Sequence, residues 1–149
     1  MITVEHLGPP VAKGRPRAVN IAGHPSFYTP KKTKDYEAAL KASMLETMHR
    51  EAFDQPFKGP LVCSVIVDVP IPISWKKSKV ADAHSGVLRP WGKPDADNYL
   101  KAVCDAGNMA LWHDDGQIVQ CTIGLWYSDK PKVIITVEQW IATTVESEK

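Results

Sequence analysis

Apolar and polar positions alternate from Ile2 to Leu7, the pattern of a half-buried strand. From Gly8 to Gly23 the chain is rich in glycine and proline and reads as a loop, with Ser26–Tyr28 a short extended piece. Thr29-Pro30 or Thr33 caps a helix predicted to run to about His49. Tyr36, Leu40, Met44 and Met48 recur every four residues, with Leu45 and Ala52 beside them, as one helical stripe. Leu61 to Val69 is β-branched and ends at Pro70, so it predicts a buried strand.

No period appears between Pro70 and Pro94, a stretch with four prolines and the run Lys76-Lys77-Ser78-Lys79. It reads as a long functional or mobile loop. Trp75 and Trp91, near its ends, are expected to anchor it to the core; stacking on bases is the alternative. A second helix is predicted over about Ala96–Ala110, with Leu100, Val103, Cys104, Gly107 and Leu111 as its apolar stripe. Gln117–Tyr127 and Lys132–Ile141 flank a Ser-Asp-Lys-Pro turn and predict a hairpin. The polar tail from Thr143 is expected to fray. The order β-α-β-α-β-β predicts one α+β domain over residues 1–149, its sheet mixed or mainly antiparallel.

Composition changes this picture little. The chain has 149 residues, 44% of them hydrophobic and 23% charged, the balance of an ordinary soluble domain. No apolar run approaches the roughly 20 residues that span a membrane, and Met1–Leu7 lacks a signal-peptide pattern. Cys63, Cys104 and Cys121 are odd in number and far apart, which makes neither a disulfide framework nor a zinc knuckle, so buried reduced thiols in a cytoplasmic protein are expected. The net charge of +1 announces no partner by itself. Its distribution is uneven: Lys13, Arg15, Arg17, Lys31, Lys32 and Lys34 crowd the first quarter, and Lys76, Lys77, Lys79, Arg89 and Lys93 precede a group of aspartates. A solvated mixed surface would explain either cluster alone.

The chemistry lies between Lys93 and Gln117. Asp95 and Asp97 stand two residues apart, Lys101 follows four residues later, and Asp114-Asp115 returns after a helix-length gap. Carboxylates so gathered repel unless a cation joins them, and oxygen ligands without histidine or cysteine suit a hard ion such as Mg²⁺. A lysine beside such an ion suggests a phosphate substrate. Asp97, Lys101 and Asp105 share one helix face. Helix capping would explain Asp95 or Asp97, but not both, and Asp114-Asp115-Gly116 alone would read as a turn.

This run resembles the signature of the RusA family of Holliday-junction resolvases, in its phage and prophage branch. The pattern Lys-Pro-Asp-x-Asp-Asn-x-x-Lys, then Asp-Ala, then an aromatic, a spacer and Asp-Asp-x-Gln is met by Lys93, Pro94, Asp95, Asp97, Asn98, Lys101, Asp105, Ala106, Trp112, Asp114, Asp115, Gln117 and Ile118. Lys13-Gly14-Arg15-Pro16-Arg17 and Tyr28-Thr29-Pro30 also resemble segments of that branch. The resemblance implies metal-binding aspartates at Asp95, Asp97 and Asp115 and an active-site lysine at Lys101. It further implies a homodimer that makes paired symmetrical nicks in four-way junctions with Mg²⁺ or Mn²⁺, in a bacterial cytoplasm. Two positions depart from the pattern: Tyr99 replaces a leucine, and Leu125 stands where some relatives carry lysine.

The residue types agree with that chemistry. A metal ion held by aspartates can activate water and neutralise the leaving oxygen, and Lys101 can stabilise charge on the phosphate. Alternatively, Lys101 pairs with Asp97 or Asp105, worth about 0.3–0.5 kcal/mol on an exposed helix. Asp105 and Asp114 fit either direct ligation or support of the ligands, and Asn98 fits a loop-holding or carboxylate-orienting part. His113 fits a surface turn, and His6, His24, His49 and His84 have no evident partner. Arg15, Arg17, Lys76, Lys77 and Lys79 are the expected DNA-phosphate contacts. The last two strands and the first helix are the expected dimer surfaces. Three readings follow: a junction resolvase, a nuclease of relaxed specificity for flaps, forks or duplex, and a non-catalytic DNA-binding phage factor. An intact set of Asp95, Asp97, Asp115 and Lys101 speaks against the third.

Overall fold

The computed structural model describes residues 1–14 and 17–142, with only the backbone at Arg17. Arg15, the side chain of Arg17 and the tail expected to fray lie outside that range. Among the described residues, six strands and three helices follow one another: β1 Ile2–Leu7, β2 Arg17–Ile21, β3 His24–Tyr28, α1 Lys31–Arg50, β4 Leu61–Pro70, α2 Lys77–Ser85, α3 Ala96–Gly107, β5 Ile118–Ser128 and β6 Lys132–Gln139. A single 3-10 turn, Asp115–Gln117, leads into β5. The main sheet has the order β1-β6-β4-β5, and β2 and β3 form a separate ribbon. The fold is α+β, as the pattern predicts.

The hairpin expected from the last two strands does not form. β4 lies between them, parallel to β5 and antiparallel to β6. Pro70 of β4 pairs with Ser128 and Asp68 with Lys132, so the short link 129–131 passes over the end of β4. The helices between β4 and β5 provide the long crossover that a parallel pair requires. β4 carries the most continuous apolar sequence and takes a central place.

One sheet face and two helices make the core. Ile2, Val4, Leu61, Cys63, Val65, Val67, Val133, Ile135 and Val137 meet Leu40, Met44 and Met48 of α1 and Tyr99, Val103 and Ala106 of α3. Leu40, Met44 and Met48 of the α1 stripe are thus buried, Tyr36 is half-buried and Leu45 beside them is exposed. Pro30 occupies the α1 cap position without a side-chain hydrogen bond. Thr33 is not a cap either: it is buried and its hydroxyl oxygen accepts the Gly14 N–H at 3.2 Å.

Part of the long loop is helical. α2 carries no apolar period because Ala83 is its one buried residue. The segment wraps the free edge of β5, a usual way to protect an edge strand. Trp75 packs edge-to-face on Tyr127 at 5.0 Å between centroids, and Arg89 stacks on Trp126 at 3.6 Å. Trp91 is 88% exposed, so it does not anchor the segment. Cys63 is buried, Cys104 half-buried and Cys121 exposed, which corrects the expectation of three buried thiols. His84 has a partner after all, Asp129 at 2.8 Å, and His6 meets Ser43 at 2.7 Å. Among the described residues, no helix is long and apolar enough to cross a membrane.

Candidate active site

α3 begins at Asp95, whose backbone is extended while the next residue is already helical. One oxygen of Asp95 accepts two hydrogen bonds from Asn98, at 3.3 Å from its backbone N–H and 2.7 Å from its side-chain amide. The other oxygen faces the Lys93 ammonium at 3.6 Å. The Asn98 backbone N–H, with Lys93 behind it, holds the Asp95 carboxyl below its ordinary value. Asp95 is therefore the helix cap, and Asn98 orients its carboxylate.

Asp97 lies in the first turn and Lys101 one turn on; both are exposed. Among the described residues, neither makes a side-chain hydrogen bond or ion pair. The alternative of a Lys101 pair with Asp97 or Asp105 is not realised. Asp105 instead takes Lys13 at 2.9 Å, and Lys13 also binds Glu37 at 2.7 Å. Burial alone would lower the Lys13 pKa, but its bonds to Glu37 and Asp105 prevail and raise it.

The turn after α3 places the last carboxylate. α3 stops at Gly107, three residues earlier than the pattern predicts, because the chain folds back there. The Gly107 carbonyl receives the N–H groups of Ala110, Leu111 and Trp112 at 2.9–3.3 Å. Trp112, fully buried, lies directly on Gly107, where a Cβ would overlap its indole ring. The indole N–H donates to the Asn108 side-chain oxygen at 2.9 Å, and the same oxygen accepts the Asp115 backbone N–H at 3.1 Å.

Gln117 closes this turn from the other side. Its side-chain oxygen accepts from the His113 and Asp114 N–H groups, at 2.8 and 3.0 Å. Its amide donates to the Phe57 and Gly59 carbonyls, at 2.9 and 3.0 Å. Asp114 caps the turn by accepting the Gly116 N–H at 2.8 Å. Asp115 is left exposed, with no side-chain hydrogen bond among the described residues. His113 is exposed beside it, as expected of a surface turn. No pattern in the sequence marks Asn108, Lys13 stands there only as one of a basic cluster, and Gln117 only as a motif position.

Cys104 marks the ground between the helix and the turn. Burial pushes its thiol up to about 12, the negative charges of Asp115 and Asp105 add to the rise, and Lys101 opposes it. The turn that carries Asp115 contacts α3, the helix of Lys101 and Cys104. Asp97 stands seven residues before Cys104, roughly 10 Å back along the helix axis. Among the described residues, no three His, Cys, Asp or Glu side chains converge as a fully protein-bound metal would need. The oxygen chemistry of Asp95, Asp97 and Asp115 nonetheless fits Mg²⁺, which is commonly held by one or two carboxylates with water and substrate phosphates as its other ligands.

The expected DNA contacts occupy two other places. Lys76, Lys77 and Lys79 are exposed at the start of α2. That first turn holds no acidic residue and no side-chain cap, so three ammonium groups meet the positive end of a helix. Lys79 lies over the Trp75 ring at 4.0 Å. Arg17 opens the ribbon, and Arg15 is outside the described residues.

Comparison with known proteins bears on these features. The sequence profile described as endodeoxyribonuclease RusA matches residues 8–138. The uncharacterized protein YqaN of Bacillus subtilis (strain 168) is 35% identical over 134 residues, covering 89% of this chain and 92% of YqaN. The match takes in the α3 carboxylates, the Asp114-Asp115 turn, β4, β5 and all but the last residue of β6, with β1 outside it. The chain belongs to the RusA endodeoxyribonuclease family.

Proposed function

We propose that this protein is a divalent-metal-dependent endonuclease that resolves four-way DNA junctions by paired symmetrical nicks. Asp95, Asp97 and Asp115 are its metal-facing carboxylates, and Lys101 faces the scissile phosphate. One contrast carries the assignment of Asp97, Asp115 and Lys101; Asp95, whose carboxylate already meets Asn98 and Lys93, joins them through its place in the resembled motif. Asp105 and Asp114 are occupied by Lys13 and by the Gly116 N–H, whereas Asp97, Lys101 and Asp115 stay exposed without side-chain partners among the described residues. Unpaired charges of both signs along one helix and the adjoining turn suit a ligand that brings both a cation and a phosphate.

A bound Mg²⁺ or Mn²⁺ supplies an activated water and relieves charge on the leaving oxygen. The chain's own contribution is placement. Asn98 fixes the Asp95 carboxylate, and Asn108 with Gln117 fixes the turn that carries Asp115. Lys101 neutralises charge as it develops on the phosphate. Lys76, Lys77 and Lys79, together with Arg15 and Arg17, hold the DNA backbone. Their crowding at the positive end of α2 is costly without an anion and favourable with one.

A junction presents two strands at symmetry-related points, so two sites are needed and a two-fold homodimer supplies them. The candidate contact is the end of the sheet where Met1, Phe53, Val119, Trp140 and Ile141 are exposed.

Leu125 gives weight to the relaxed-specificity reading. Its side chain packs against the core, so this position offers DNA no lysine. Cleavage of a junction, a fork and a duplex of matched sequence with Mg²⁺ separates the two readings. Paired nicks confined to the junction support the resolvase, and equal cutting of all three supports the relaxed nuclease. Absence of cutting returns the chain to the non-catalytic reading.

A further inference from the structure

We propose that the β2–β3 ribbon is a DNA-engaging arm, on which the Phe27 ring stacks against bases unpaired at the branch point. The inference rests on the junction-nuclease reading and adds how branched DNA is told from duplex.

The ribbon is a sheet by itself. Its five-residue strands pair from Arg17–Tyr28 to Ile21–His24 and join neither edge of the main sheet. An isolated two-stranded ribbon is marginal in water without something to pack on. This one turns apolar side chains to solvent on both faces: Phe27 is 70% exposed on one, and Ile21 is 61% exposed on the other.

Charge selects the occupant. No acidic residue occurs from His6 to Lys34; besides Lys13 and Lys31, which pair with carboxylates outside this stretch, it contains Arg15, Arg17, Lys32 and Lys34. A polyanion suits such a surface. A second copy meeting it across a two-fold axis would bring like charge to like.

Location links the ribbon to the site. Lys13, just before the ribbon, is bound to Asp105 and Glu37, and its backbone N–H donates to the Asn98 carbonyl at 2.9 Å. Gly14 is bound to Thr33 at the start of α1. The root of the ribbon is thereby clamped to the helix that carries Asp97 and Lys101. Phe27 pairs with Ala18, one rung from that root, rather than at the Ala22-Gly23 tip.

An aromatic ring in a basic field is the usual platform for a single-stranded base. Duplex bases already stack on one another, so Phe27 gains a partner chiefly where the branch point leaves bases unstacked.

The test is equilibrium binding of a four-way junction and a matched duplex, without divalent metal, across a salt series. Phe27→Ala is expected to weaken junction binding roughly 5- to 150-fold, the size of one base–aromatic stack. Duplex affinity and the logarithmic salt slope should hold, because no phosphate contact is removed. Phe27→Trp should keep junction affinity and Phe27→Leu should not, which separates a ring from mere bulk. Unchanged junction affinity in Phe27→Ala overturns the arm. So does equal weakening on both DNAs with a lower slope. Loss of self-association in sedimentation would assign the ribbon to a second copy instead. A wild type that cuts junctions while Phe27→Ala binds normally loses only the arm; a wild type that binds no DNA loses the nuclease reading as well.

Discussion

Asn108 and Asp115 are joined by a hydrogen bond from the Asp115 backbone N–H to the Asn108 side-chain oxygen, 3.1 Å long. The same oxygen receives the indole N–H of buried Trp112. One amide thus ties a candidate metal carboxylate to the core. Asn108→Ala leaves the indole donor without its partner, at a cost of about 1–3 kcal/mol, and frees the turn. We expect urea denaturation to record that loss. Single-turnover cleavage should fall about tenfold or more, since small misplacements at a reacting centre are costly. Wild-type cleavage in a measurably destabilised Asn108→Ala would detach the turn from catalysis.

Asp97→Asn changes the charge of an exposed side chain with almost no change in shape. It should abolish Mg²⁺-dependent cleavage and leave junction binding intact or tighter, because a repulsive charge near the phosphate is gone. Filter binding and cleavage on one preparation check both halves. Normal turnover would remove Asp97 from the site.

Lys13 makes a prediction about stability and pH. Its side chain is 15% exposed and is bound to two carboxylates. Lys13→Met should destabilise by about 2–3 kcal/mol, less than the loss of one partner from a fully buried pair. The folded pKa lies above the ordinary 10.5. The stabilisation is therefore complete below 10.5 and is lost as pH rises through the higher folded value. Denaturation of wild type and variant from neutral pH into the alkaline range should show a constant gap that closes only at the top. A gap that closed near neutrality would mean that Lys13 is not held as described.

The three lysines of α2 should act on salt dependence. Each phosphate contact removed changes the logarithmic salt slope by roughly 0.9 on duplex DNA. Lys76→Ala/Lys77→Ala/Lys79→Ala should lower both slope and affinity while α2 itself gains stability, as ammonium groups leave its positive end. An unchanged slope would return these residues to the solvated surface.

Much of this fold is legible wherever burial imposes a period. β1, α1 and α3 carry one, β4 shows itself by its β-branched run, and the aspartates of α3 stand out because their spacing conflicts with a purely structural helix start. What escapes has physical reasons. α2 buries little beyond Ala83 and so writes no stripe. The β2–β3 ribbon has no buried face and is punctuated by glycine and proline. The last two strands are neighbours in sequence but do not form a hairpin, because β4 competes for both of them. The parts of Asp105 and Asp114 were undecidable locally. A lysine 92 positions away takes the first, and a turn amide takes the second.

The most direct measurement is single-turnover cleavage of a mobile four-way junction and its matched duplex by the wild-type protein, with Mg²⁺ and with chelator. The account predicts two nicks at symmetry-related positions of the junction with Mg²⁺, none with chelator, and an uncut duplex. Cleavage that persists in chelator, or a junction that stays intact with Mg²⁺ while bound, would contradict it.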